Sequence, residues 1–253
     1  MSPYSSRKST LFRHFTFALL LLLVGTATGQ TPGKDGSLTV SSANLVVNLY
    51  KTVTANITAP ASTVSVNNTT GISVGDYVMV YQAVGASIST TDDATYGTIT
   101  NYNSAGLYEL RGVQSVSTNS VTLTGPLLSS YSVAGKTQLI RIPQYTSLTI
   151  NSGGSITAQA WNGSTGGVAA LHVQGTATIV GSIDVSAKGF RGGALTSNGS
   201  QTLQGDTFFR TTSIDAGALK GEGIGDPSTI SSTGSYGRGA PANGGGGGNR
   251  HNG

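Results

Sequence analysis

The sequence predicts an all-β protein: a small β-barrel or sandwich-like module followed by a right-handed parallel β-solenoid with a Gly-rich continuation. The first observation behind this is the stretch Tyr145–Gly193. Runs at Ser147–Ile150, Ser155–Ala160, Val168–Val173, Thr176–Val180 and Ser182–Ala187 alternate apolar with small polar residues between Gly, Ser and Asn turns. Strands this short cannot each bury a face alone, so stacking them as successive coils is the economical arrangement. The second observation is composition: of 253 residues 37 are Gly, 9% are charged and none is Cys. A polar but uncharged, β-branched chain suits exposed sheets with Gly and Asn turns, and it excludes disulfide frameworks and thiolate metal sites. The third is the strand density of Ser62–Ile142, which carries nearly all the large side chains before Trp161.

Taken in order, residues 1–29 read as a signal peptide. Arg7, Lys8 and Arg13 precede the apolar run Thr16–Gly25, and Ala27-Thr28-Gly29 offers a small-residue exit. The run falls short of the ~20 residues of a transmembrane helix. A mature chain starting at Gln30 is therefore expected, with no stable membrane span after cleavage and an extracellular or outer-cell-surface location. Loss of the leader reduces the 14 basic residues to 11 against 10 acidic ones. So neutral a chain gives no electrostatic case for nucleic acid.

Residues 30–61 read as an extended β leader with a flexible start at Gln30–Gly36. A compact β-module, preceding the solenoid or inserted at its first rung, is expected over 62–143, with strands at Tyr77–Val84, Tyr96–Tyr102, Leu107–Val116, Ser120–Thr124 and Thr137–Ile142. Gly75-Asp76 makes a tight turn in which Asx hydrogen bonding accounts for the acid. The parallel β-solenoid is expected over 144–213, and 214–253 is a Gly-rich low-complexity segment. The sequence stops within that tract without a polar cap, and solenoids need capped ends. The expectation is the N-terminal part of a longer protein.

An ordered set of segments carries a family likeness: GDYVMVYQAVGA (Gly75–Ala86), GLYELRGVQSV (Gly106–Val116), QLIRIPQYTSLTI (Gln138–Ile150), AWNGSTGGVAALHVQG (Ala160–Gly175), IDVSAKGFRGG (Ile183–Gly193) and GRGAPANGGGGG (Gly237–Gly248). Together they resemble the N-terminal region of large Gly-rich, adhesin-like exported surface proteins of gliding bacteria. The resemblance implies export to the cell surface, downstream repeats and a C-terminal sorting domain, and it makes surface glycans or other extracellular matter the expected partners.

Chemistry-bearing residues are sparse. Asp184, Lys188 and Arg191 fall on consecutive parts of one expected coil and its turn, the closest approach to a lyase-like acid-and-base cluster. Trp161, the single Trp, stands before Asn162-Gly163 and could offer an aromatic face to a sugar, although a lone Trp at a coil corner is more often there for packing. These four are the ligand-contact candidates, and no catalytic residue is assigned. No second acid pairs with Asp184 by spacing, so a structural and adhesive protein is expected rather than an enzyme. The alternative is a polysaccharide-active β-helix enzyme, a lyase or glycosidase. His172 is isolated, Gly221–Gly225 lacks the dinucleotide spacing and Gly135-Lys136-Thr137 lacks a phosphate-loop glycine. Neither cofactor nor metal is expected.

Overall fold

The computed structural model describes residues 31–194, 208, 219–225 and 236–247. The expected signal peptide and the remainder of the region after 194 lie outside the described residues. The described chain is all-β and contains no helix, hence none long and apolar enough to cross a membrane.

The strands begin with β1 (Ser37–Val40) and β2 (Leu45–Val46). Next come β3 (Leu49–Thr52), β4 (Ala61–Ser65), β5 (Tyr77–Gln82), β6 (Ser87–Ile88) and β7 (Ile99–Asn101). They are followed by β8 (Tyr108–Ser117), β9 (Ser120–Leu127) and β10 (Thr137–Ile142). Finally come β11 (Gln144–Tyr145), β12 (Ser147–Ile150), β13 (Ser155–Thr157), β14 (His172–Val173), β15 (Ala177–Ile179) and β16 (Ser182–Ile183).

Two kinds of sheet result. β1, β12 and β15 form one parallel ladder, β2, β13 and β16 a second, and β11 with β14 a third. Leu148 pairs with Ala177, Ser155 with Ser182 and Gln144 with His172, offsets of 29, 27 and 28 residues. The register stacks like on like: Val40, Ile150 and Ile179 lie in one row, and Leu45, Ile156 and Ile183 in another. Val40, Leu148, Ile150 and Ile156 form the buried centre between these ladders. Period-two alternation sends alternate residues to one face, so a strand of four carries two apolar side chains inward.

The second kind is a six-stranded antiparallel sheet in the order β3-β10-β5-β8-β9-β4. A register shift between Val113 and Ser115 lets the long β8 serve β5 with its first half and β9 with its second, since a bulge bends and twists its strand. The sheet curls until its outer strands meet. Val53 bridges Val66, Thr54 N–H donates to Ser65 O at 3.0 Å and Asn67 N–H donates to Thr52 O at 3.0 Å. Val64, Val78, Val80, Val113, Val121, Leu123, Leu127 and Leu139 fill the inside.

The division of the chain differs from the expected one in two respects. The leader is not a unit: β1 and β2 join the parallel ladders, while β3 belongs to the curled sheet. Hence the module is inserted between the first and second levels of the parallel ladders. The physical reason is that Ser-Leu-Thr-Val at 37–40 presents the same inward pair as Ser-Leu-Thr-Ile at 147–150. The segment 31–36 is also fixed rather than loose. Lys34 Nζ donates to Asp76 at 2.7 Å, Asp35 N–H donates to Gln144 O at 2.9 Å, and Arg141 Nη2 reaches Asp35 at 2.5 Å. Arg141 Nε also bonds Asp76 at 3.0 Å. This four-residue ionic cluster ties the curled sheet to the parallel ladders.

Candidate functional site

Where the 82–86 segment of the curled sheet meets the loops of the parallel ladders, a groove of about 500 Å³ opens. Its floor comes from the turn after β16 and from the loop after β13. Trp161 N–H donates to Lys188 O at 2.8 Å, which lays the two loops side by side. Asn162 Oδ1 accepts from Ser164 N and Thr165 N, both at 2.9 Å, and so rounds the loop. The Trp161 ring meets Phe190 edge to face, with centroids 5.6 Å apart at 83°, and packs with Ala83 and Val84 from the curled sheet.

Arg191 lines the same groove. Its Nη2 bonds Glu222 Oε1 at 2.5 Å, while its Nε and its backbone N–H both reach Oε2 at 3.0 Å. That forked, charge-assisted pairing holds the guanidinium plane in one orientation. A Cβ at Gly163 would lie 2.6 Å from Arg191 Nη2, so only glycine leaves room for the guanidinium there. Burial works to raise the Glu222 pKa, but the Arg191 hydrogen bonds and charge outweigh it and hold the carboxyl below its ordinary value. The Trp161 indole N–H is buried without an acceptor at bonding geometry, yet lies near enough to Glu222 to add to that lowering.

Two lysines complete the lining. Lys136 enters from the loop before β10. Lys220 is buried, donates to Phe208 O at 2.7 Å, to Gly237 O at 3.2 Å and to Gly239 O, and sits 4.3 Å from the Tyr96 ring centroid. Burial lowers its pKa to about 8. Lys220 thus gathers the carbonyls of Phe208 and of two glycines of the Gly-rich segment beside Tyr96, in the loop between β6 and β7.

Of the four residues singled out from sequence, the structure brings Trp161 and Arg191 into the groove and leaves Asp184 and Lys188 outside its lining. Asp184 is exposed and accepts from Ser186 N–H at 2.8 Å; Ser186, and then the Lys188 charge, lower its pKa. No third titratable group joins that pair among the described residues of the cluster. Trp161 is only 6% exposed, so it supplies an edge and a floor, not an open platform. Glu222 escaped sequence reading because Gly221–Gly225 drew attention as a failed nucleotide motif. Its partner Arg191 lies 31 residues away, a separation that only the fold closes. Phe190 had a signal, the apolar residue next to a Gly turn.

The chain matches no known protein-family profile and no curated protein. Solved structures similar to parts of it are phage tailspikes. The Gp54 tailspike of Acinetobacter baumannii bacteriophage AP22, in complex with A. baumannii capsular saccharide, is 19% identical over 54% of this chain and 19% of that one, with a TM-score of 0.29. The Pseudomonas phage phi297 tailspike gp61 is 14% identical over 60% and 22%, also at 0.29. The tailspike protein gp49 from Pseudomonas phage LKA1 is 17% identical over 52% and 28%, at 0.24. The match therefore spans less than a third of each tailspike, and at these scores it carries no argument about function.

Proposed function

We propose that this chain is an exported cell-surface protein of adhesive type, the N-terminal part of a longer adhesin-like stalk, and that its groove holds an acidic stretch of a surface glycan. In this reading the parallel ladders are the first coils of a right-handed β-solenoid, the hand that crossovers between parallel strands of one sheet nearly always take. Backbone ladders and buried rows such as Val40–Ile150 give such a stalk its stiffness.

The observation that carries the binding reading is the groove's composition. A fixed guanidinium lines the groove together with the Trp161 and Phe190 rings, Lys136 and Lys220 add positive charge, and glycines at 163, 192, 193, 221 and 223 keep the walls close to bare backbone. Apolar ring edges suit the C–H faces of a sugar, and a planar guanidinium suits its carboxylate. Glu222 is the one carboxylate lining the groove among the described residues, and it is locked to Arg191. A glycosidase needs two carboxyl groups across the bond it cleaves. Binding rather than turnover is thus the reading we favour for this site.

Titration of the full chain with hexagalacturonate, by calorimetry, tests it. Arg191→Ala is expected to weaken binding about tenfold or more, the loss of a charge-assisted pair, and Phe190→Ala severalfold. Equal affinity in wild type and Arg191→Ala, or release of shortened sugars, would overturn the reading.

A further inference from the structure

A second groove, of about 360 Å³, opens at the mouth of the curled sheet, on the far side of the wall formed by residues 84–85 and 135–136. Val84 N–H donates to Gly135 O at 3.0 Å within that wall. Val84 and Lys136 line the first groove, whereas their chain neighbours Gly85 and Gly135 line the second. The chemistry of the two sides is opposite. Among the described residues no charged side chain lines the second groove; Asn56, Thr58, Asn103, Ser104, Ser130 and Ser132 supply amides and hydroxyls instead.

These groups are held at one end and open at the other. Asn56 Oδ1 accepts from Val133 N–H at 2.9 Å, which leaves its amide donors uncommitted. Asn103 Nδ2 donates to Gly85 O at 2.8 Å and to Ser87 Oγ at 3.0 Å, which leaves its carbonyl oxygen uncommitted. Asn103 also sits at φ 49°, a left-handed position that Asn tolerates better than most residues. Ser104 Oγ donates to Ser130 O at 3.1 Å and keeps its acceptor capacity. Of the apolar lining residues, Ile57 and Tyr131 are buried and Ala134 is exposed. Tyr102, which precedes Asn103 in the chain, is 61% exposed.

We infer that this mouth groove is a second saccharide site, specific for neutral sugar units. A ligand dense in groups that both donate and accept, and lacking charge, is what prefixed amides and hydroxyls recognise, with Tyr102 available to stack on its ring. The site is independent of the charged groove.

The full chain is titrated with cellohexaose and maltohexaose, with hexagalacturonate as the acidic arm, and followed by backbone amide shifts in two-dimensional NMR. A neutral hexasaccharide is expected to move the amides of 56–58, 103–104 and 130–132. Its affinity should fall about tenfold in Asn56→Ala/Thr58→Ala and severalfold in Tyr102→Ala, and stay unchanged in Arg191→Ala. Thr58 and Tyr102 are exposed and make no side-chain hydrogen bond in the fold, so Thr58→Ala and Tyr102→Ala serve as variants that keep it intact. Shifts confined to the Trp161 groove, parallel losses in Arg191→Ala, or no response to either neutral sugar at millimolar concentration would overturn the inference. The hexagalacturonate arm reports separately on the charged groove.

Discussion

Asp76→Ala is expected to destabilise the protein by about 3–5 kcal/mol, the usual cost of stranding a buried charge partner. Asp76 is 0% exposed. It accepts from Lys34 Nζ at 2.7 Å, from Arg141 Nε at 3.0 Å and from Ser73 N–H at 2.8 Å. Its removal leaves Arg141 with Asp35 alone and opens the seam between the curled sheet and the parallel ladders. Chemical denaturation monitored by circular dichroism measures the loss, and a change below about 1 kcal/mol would mean that the seam does not depend on this cluster. The same residue sets an acid limit. Burial opposes its ionisation, but Arg141, Lys34 and Ser73 outweigh burial and lower its pKa. A folded pKa below the unfolded value, about 3.9, gives stability that is complete above that value and lost as pH falls through the folded pKa. Wild-type stability is therefore expected to drop below about pH 4, and Asp76→Ala should lose this part of the dependence.

Gly181→Ala is expected to cost about 2–3 kcal/mol through overpacking between levels of the parallel ladders. A Cβ there would collide with the Gly154 carbonyl oxygen and come within 2.6 Å of Asn151 O and 2.8 Å of Ile150 Cγ2. Two of these three obstacles are backbone, so the ladders must part. Parting them stretches the bonds from Val180 N–H and Gly181 N–H to Ile150 O, at 2.9 and 3.0 Å. Gly189→Ala is the control, because a Cβ at Gly189 meets nothing within 4 Å. It should change stability by less than about 0.5 kcal/mol. Equal stability of the two variants would contradict close stacking at this corner.

Much of the strand content was legible because alternation is a local property. Ser147–Ile150 appears as expected, and the longer runs at 155–160, 168–173, 176–180 and 182–187 each contain a strand trimmed at its ends by Gly and Asn turns. Pairing is not local, which is why the sequence left open whether the module precedes the coils or is inserted at the first of them. The near-identity of Ser-Leu-Thr-Val at 37–40 and Ser-Leu-Thr-Ile at 147–150 was the available signal, separated by the whole module. Asp76 shows the same split. Its turn role is present, since Asp76 Oδ2 accepts from Ser73 N–H. Its ionic partners lie 42 and 65 residues away and only the fold brings them in. The groove was half legible, through Trp161 and Arg191. Glu222 and the Lys220 carbonyl cluster depend on Gly-rich segments packing closely, which composition alone does not specify.

Trp161 is the protein's only tryptophan and lies in the floor of the charged groove, so its fluorescence reads that site without a label. Titration of the full chain with hexagalacturonate at neutral pH is expected to give a saturable change in Trp161 emission. That change should shift about tenfold to higher concentration in Arg191→Ala. An emission unaltered by the acidic sugar up to millimolar concentration, or a response identical in Arg191→Ala, would contradict glycan binding at this groove.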